Sequence, residues 1–346
     1  MSRRALTLLL ASLLAIGLSV GAVQARVPYV ALGPGPIYDT LGTTGDGKPV
    51  IEIDGATTFP TDGRLDLTTV GVQADLTLVE ALRGWFSRDL AVVPREVVYP
   101  PGQSDEQVQA QNTEAMRTSQ ESAEAAAARQ RGARISEVAV AQVAPDAPAS
   151  GLLEEGDVLT RLDGTEVRDA VELRALISGR QVGDPVRVDY VRDGQPGSVE
   201  IVTGPAGDDG PGRPVIGVVT EEKPLDLPFE VTINLEEVGG PSAGLLFTLG
   251  ILDKLGEGSL TGGRHIAGTG EIAADGTVGP IGGIPQKLIA AEAEGVEAFL
   301  VPADNCAEAL QSPPAGLPLV KVATLDDALA ALSALRSGDQ PVLCGS

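Results

Sequence analysis

The sequence predicts a multidomain chain that mixes α+β and α/β segments: an N-terminal membrane helix, a β-rich domain and an α/β domain at the C-terminal end. Three observations predict it. Residues 5–23 are apolar and uncharged, directly behind Met1-Ser2-Arg3-Arg4. Residues 132–204 read as short strands separated by turns, with one helix among them. From Pro214 onward, apolar runs of helix length alternate with short buried strands. A chain of 346 residues has room for two or three domains. The divisions expected are an anchor or signal peptide over 1–25, a region of strands and a helical connector over 26–131, the β-rich domain over 132–204, a linker over 205–213 and the α/β domain over 214–346.

The first segment is long enough to cross a bilayer as a helix. Arginines ahead of it predict a cytoplasmic N-terminus, with the bulk of the chain outside the cytoplasm. Val23-Gln24-Ala25 also fits a signal-peptidase site, so an uncleaved single-pass anchor and a cleaved signal both stand. Either one exports the rest. In an oxidising compartment Cys306 and Cys344, the chain's two cysteines, could pair and tie down the C-terminal tail; two free buried thiols are the alternative.

Behind the anchor, Pro28 to Pro36 is turn-rich and extended. Gly42-Thr43-Thr44-Gly45-Asp46-Gly47-Lys48-Pro49 comes close to a phosphate-binding loop, but Pro49 stands where a Ser or Thr must hold magnesium. The following Val50 to Asp54 alternates like a strand, so nucleotide binding is rejected here and no ATPase motor is expected. Leu65 to Leu78 contains strand-like pieces, and a helix-like apolar turn carries Trp85 and Phe86. After Pro100-Pro101-Gly102, residues 103–131 are rich in Ala, Gln and Glu and predict a polar helix.

In the β-rich stretch, strands are expected at Ile135–Val138, Val140–Val143, Val186–Val191 and Ser198–Val202, and a helix from about Asp169 to Ile177. The block Gly151-Leu152-Leu153-Glu154-Glu155-Gly156-Asp157-Val158 resembles that of bacterial-type PDZ domains. The resemblance implies capture of an extended C-terminus by strand addition, with backbone N–H groups holding its carboxylate. The carboxylate loop is expected just before the first strand, near Gly132 to Ile135.

The chemistry concentrates further on. Gly239-Gly240-Pro241-Ser242-Ala243-Gly244 leads into Leu245-Leu246-Phe247-Thr248-Leu249, a turn followed by a buried helix. Ser242 then sits near the helix start, where free N–H groups and the positive end of the helix dipole favour an oxyanion. A second block runs from Thr269-Gly270-Glu271-Ile272 to Pro280-Ile281-Gly282-Gly283-Ile284-Pro285-Gln286-Lys287. Pro285 suits a first helical turn and places Lys287 beside it. A lysine at that end of a helix, once buried, loses its proton more readily and can take one from a serine hydroxyl near neutral pH.

These two blocks, in this order and spacing, resemble the proteolytic domain of Lon-type peptidases, over about Pro214 to Leu335. The chain as a whole resembles the membrane-anchored PDZ-Lon subgroup, also through Thr68-Thr69-Val70, Pro94-Arg95-Glu96 and Met116 to Ala128. The resemblance implies a Ser–Lys dyad without histidine: Ser242 as nucleophile, Lys287 as general base, Thr269 positioning the lysine. The oxyanion would rest on the backbone N–H groups of Gly240 and Ser242. Many Lon enzymes carry an acidic residue where this chain has Gly239, which removes a carboxylate from beside the site. Hexameric rings are common among Lon-type domains, so the resemblance also implies a homo-oligomer.

Composition excludes other classes. A net charge of −23 argues against nucleic-acid partners and against docking on an anionic membrane surface. Aromatic content of 3 % leaves no stacking platform for bases. The single histidine, His265, weighs against a Ser-His-Asp triad; it lies close to the Thr269 block and could line the site, but a surface or strand edge is the place expected, since no acidic partner is evident. No metal-ligand spacing is present, so neither metal nor cofactor is expected. The function expected is an ATP-independent serine endopeptidase acting on protein or peptide substrates; a non-catalytic PDZ scaffold or a self-processing protein are the alternatives.

Overall fold

The computed structural model describes residues 10, 12–14, 16–17, 21, 25–206, 212–235 and 238–346. They form two compact units, one made of the chain up to Ala127 together with Phe229–Ser346, the other of Ala128–Pro228.

From residue 25 on, the first segment holds β1 (Tyr29–Asp39), β2 (Ile51–Asp54) and β3 (Arg64–Gln73), then α1 (Leu78–Trp85), β4 (Ala91–Pro94) and α2 (Asp105–Gln130). A reciprocal cap starts α1: Glu80 N–H donates to Thr77 Oγ1, and Thr77 N–H donates to the Glu80 carboxylate. Residues 42–49 make a turn that feeds β2, a strand as expected for Val50 to Asp54. The polar helix expected over 103–131 is α2; it buries mainly small side chains, Ala123, Ala126 and Ala127, below Val108 and Met116.

The second unit contains β5 (Ser136–Val143), β6 (Val158–Leu162), β7 (Thr165–Glu166), α3 (Ala170–Ser178), β8 (Pro185–Arg192), β9 (Gln195–Val202), β10 (Gly204–Pro205), β11 (Pro214–Val215) and β12 (Val218–Pro224). Its antiparallel sheet has the order β12-β5-β6-β8-β9. Val138, Val140, Leu159, Leu162, Val186, Val188 and Ile201 fill its core, together with Leu173 and Ile177 of α3. The Gly156-Asp157 block has a structural reason. Asp157 is buried and accepts from Arg192 Nε at 2.6 Å and Nη2 at 2.7 Å, and from Glu154 N–H at 2.8 Å. Burial opposes its charge, but these donors hold the carboxyl below its ordinary value.

The last segment supplies β13 (Glu230–Ile233), α4 (Gly244–Leu255), β14 (His265–Gly268), β15 (Glu271–Ile272), β16 (Val278–Gly279), α5 (Ile284–Ala293), β17 (Ala298–Pro302), α6 (Cys306–Ala309), β18 (Leu319–Val322) and α7 (Leu325–Ser337). Its strands complete the sheet begun by the first segment, in the order β18-β17-β14-β3-β1-β4. The β18, β17, β14 and β3 pairings are parallel, whereas β1 runs antiparallel to both β3 and β4. The parallel strands β14 and β17 are joined through α5, the crossover that parallel neighbours require. That connection lays α5 across β1 and β3.

Three of the expected boundaries are corrected. Residues 26–131 are not a region apart, because β3 pairs with β14 through Arg64–His265 to Leu67–Gly268, making one sheet of both ends of the chain. The α/β unit does not begin at 214: β12 adds to β5 and belongs to the second unit. The expected linker at 205–213 lies within that unit, between β10 and β11, with residues 207–211 outside the described set. Most of the expected anchor over 1–25 also falls outside the described residues. Among those described, no helix is long and apolar enough to cross a membrane.

Candidate active site

The turn Gly239–Ala243 ends at α4, whose residues are all buried except Lys254. Ser242 therefore stands at the mouth of a helix sunk in the core. Gly270 N–H donates to Ser242 O at 2.9 Å and Leu245 N–H to Gly270 O at 3.1 Å, which stitches the turn to the segment leaving β14. From the other side α2 holds it: Gly240 N–H donates to Asn112 O at 2.9 Å, and Ser119 Oγ donates to Pro241 O at 3.0 Å. The approach is close enough that a Cβ at Gly244 would lie 2.8 Å from Ser119 Oγ and equally close to Ile272 Cγ2. Only glycine fits there.

Lys287 arrives from α5. Gly283 starts that helix in the left-handed region, at φ 75°, where a Cβ would also meet Val70 Cγ2 at 2.5 Å. Pro285 occupies the first turn, as expected. The Lys287 side chain runs inward and the residue is 1 % exposed. Its Nζ donates to Ser242 Oγ at 2.8 Å and to Thr269 Oγ1 at 2.8 Å. Thr269 Oγ1 in turn donates to Ser242 O at 3.0 Å. Burial lowers the amine to about 7 from its ordinary value near 10.5. A cavity of about 450 Å³ opens over the group, walled by Tyr38, Thr68 and Val70 on one side and Ile281 and Gly282 on the other.

The structure thus brings Ser242, Thr269 and Lys287 into one hydrogen-bonded cluster. It does not leave Gly240 free as an oxyanion donor, because Asn112 O takes its N–H. Ser242 N–H and Ala243 N–H meet no acceptor among the described residues. His265 has the acidic partner that the sequence did not reveal: its Nε2 lies 2.6 Å from Asp66 Oδ2, and Arg64 donates to the same oxygen at 2.9 Å. Burial raises the Asp66 carboxyl even so. This group lies on β3 and β14 and does not line the cavity over Ser242 and Lys287.

Two braces escaped the sequence reading, Ser119 on α2 and Asn305. Asn305 Oδ1 accepts from Ile281 N–H at 2.8 Å and its Nδ2 donates to Ile281 O at 2.9 Å, so one side chain holds both polar groups of a cavity-wall residue. Beside it, Cys306 is bonded to Cys344, with Cα atoms 5.2 Å apart. Of the two cysteine readings, the bridge is the one formed.

The second unit carries a separate cleft. Strand addition beside Gly132–Ile135 is blocked, since β5 is already paired on both sides, by β12 and β6. The edges of this sheet are β12 and β9; between β12 and α3 lies a cavity of about 390 Å³ lined by Leu173, Ile177, Ile216 and Val218 among others. The segment expected to hold a carboxylate, Gly132 to Ile135, does not line this cleft; Arg213 to Val218 does.

Residues 237–333 match the family model of the Lon protease (S16) C-terminal proteolytic domain, and residues 108–203 match that of the PDZ domain. Lon protease 1 of Sorangium cellulosum is 39 % identical over 116 residues, covering 32 % of this chain and 14 % of its own. The Lon protease of Phenylobacterium zucineum is 33 % identical over 120 residues, covering 34 % of this chain and 15 % of its own. The PDZ domain of an SdrC-like protein from Listeria monocytogenes is 30 % identical, covers 24 % of this chain and 85 % of that one, and superposes with a TM-score of 0.23. The chain carries a PDZ domain and a Lon-type proteolytic domain. It spans only about one seventh of the length of these Lon relatives.

Proposed function

We propose that the protein is an ATP-independent serine endopeptidase, anchored through residues 1–25, that cuts exported or membrane-proximal proteins with a Ser242–Lys287 dyad. The observation that carries this is the 2.8 Å contact between Ser242 Oγ and the Nζ of a lysine buried enough to be half neutral near pH 7. In the neutral amine the contact reverses, and Nζ accepts the Ser242 proton as Oγ attacks the peptide carbonyl. Thr269 fixes the direction: with its O–H given to Ser242 O, it can only accept from a Lys287 N–H, which leaves the amine lone pair aimed at the hydroxyl. The tetrahedral oxyanion is held by the free N–H groups of Ser242 and Ala243. The Lys287 ammonium then protonates the leaving amine, giving an ester on Ser242 and a neutral lysine. That lysine deprotonates the water that hydrolyses the ester.

The PDZ domain takes an extended C-terminus as an added strand on β12, with apolar side chains in the cleft beside α3. Without a motor to unfold its targets, the enzyme acts on flexible or unfolded segments. The test is cleavage of casein by the full chain. Wild type should cut, and Ser242→Ala and Lys287→Ala should each be inert. If Ser242→Ala cuts as well as wild type, the dyad is not the catalyst.

A further inference from the structure

We propose that α1 is a membrane-contacting surface, whose large apolar side chains enter the interfacial zone of the bilayer beside the point where the N-terminal apolar segment joins the fold. The proposal rests on the anchoring just proposed. Its first support is that α1 is packed the wrong way round for a helix serving only the core. It buries Ala81 and Gly84 and turns Leu78, Leu82, Trp85 and Phe86 outward. Those four fall at i, i+4, i+7 and i+8, a single stripe along the helix. Trp85 is 56 % exposed and Phe86 89 %. The chain has one tryptophan and five phenylalanines in all, so placing that tryptophan and one of the phenylalanines side by side in solvent is a large expenditure of scarce aromatics. Leu90, also exposed, follows on the same connection.

The second support is where this stripe sits. Leu78, the first residue of α1, donates its N–H to Ala25 O at 2.9 Å, and Val27 N–H donates to Leu76 O at 2.9 Å. Arg26 bridges to Thr77. The apolar run of residues 5–23 therefore ends within two residues of a backbone hydrogen bond to α1. The described apolar residues of that run, Leu10, Leu13, Leu14 and Ile16, are themselves exposed, so they do not cover the stripe. If the run enters a bilayer, the geometry keeps α1 at the water–lipid boundary.

The chemistry fits that boundary. Tryptophan and tyrosine favour the interface because they pair an apolar ring with a polar group, and the Trp85 ring stands edge-on to Tyr29, its centroid 5.7 Å away. The exposed charges nearby come in both signs, Arg26, Arg83 and Arg88 against Asp75, Glu80 and Asp89. The strongly acidic average of the chain therefore does not extend to this face, and contact needs no anionic lipid.

Trp85 is its own reporter. The full chain is reconstituted into phosphatidylcholine vesicles with and without lipids brominated near the glycerol backbone, and tryptophan emission is read on vesicles recovered by flotation. The expected result is flotation with emission quenched roughly two-fold or more by the brominated lipid. A Leu82→Glu, Phe86→Glu variant should still float but lose the quenching. If wild type floats and its emission is not quenched, α1 does not touch lipid and the inference fails while the anchor stands. Unquenched emission that shifts to the blue as protein density on the vesicle rises would show a second copy covering α1, which also overturns the inference. Failure to float removes the anchoring reading and this one with it.

Discussion

Lys287 Nζ lies 2.8 Å from Ser242 Oγ, in a setting dry enough to bring the amine to about 7. A base with that value fixes the direction of the pH profile. Below pH 7 the amine is protonated and cannot accept from Ser242, so kcat/KM should fall about tenfold for each pH unit of acidification. It should level off about one unit above 7. A profile measured with a short fluorogenic peptide, which needs no PDZ capture, isolates this ionisation. An activity flat from pH 5 to 9 would leave Lys287 without the role of base.

The same burial predicts a stability trade. The lysine binds its proton less readily folded than unfolded, so between pH 7 and about 10.5 the unfolded chain holds more protons and stability rises with pH. Below pH 7 both states are protonated and the whole penalty is present. A shift of this size corresponds to roughly 4–5 kcal/mol against the fold. Lys287→Met fills similar space without a charge. It should be inactive yet more stable by about 2 kcal/mol or more at pH 6, allowing for the two hydrogen bonds it loses, with the gain shrinking toward pH 10. Denaturant midpoints at pH 6 and pH 9 check both the gain and its slope.

Thr269 is predicted to act through geometry. Thr269→Val keeps the β-branched shape but removes the oxygen that accepts from Lys287 and donates to Ser242 O. The amine is then free to rotate away from Ser242. We expect kcat to drop about 10- to 100-fold with KM within a factor of two, since the loss falls on proton transfer rather than on substrate contact. A rise in KM at constant kcat would mean that Thr269 serves substrate binding instead.

What was legible in the sequence follows from which forces are local. Ser242 and Lys287 could be placed because a rigid Gly-Pro turn and a proline in a helix's first turn declare two helix starts, and each residue sits beside one. Thr269 was legible only through resemblance to the Lon proteolytic domain, whose model matches residues 237–333. Gly240 was misread because the acceptor of its N–H, Asn112, comes from a helix whose sequence carries no sign of a partner. The domain boundaries failed for the same reason. β3 and β14 read as separate strands, and nothing in the period-two pattern of either says that Asp66 will face His265 from 199 residues away. The PDZ unit was visible from its turn block, but its edge strand β12 lay beyond a Gly/Pro-rich stretch that reads as a boundary.

Asn305 and the neighbouring disulfide give the last prediction. The Asn305 amide matches the Ile281 peptide group, donor to acceptor and acceptor to donor, and so sets the wall of the cavity that begins at Ile281 and Gly282. Asn305→Asp keeps the oxygen that accepts from Ile281 N–H but puts a second oxygen against Ile281 O, where two acceptors repel. That wall should swing out, and kcat/KM should fall at least tenfold, about the value of one hydrogen bond lost and one polar group left buried without a partner. Cys306 anchors the next residue to Cys344, closing a loop of sequence separation 38. Cys306→Ser with Cys344→Ser should lower unfolding stability by roughly 2–4 kcal/mol. If the bridge also steadies Asn305, the double variant should lose activity in the same sense as Asn305→Asp but less deeply. Adding a reductant to wild type should reproduce that loss and leave the double variant unchanged. Equal activity of wild type with and without reductant, once the bond is shown to be open, would confine the bridge to holding the C-terminal tail.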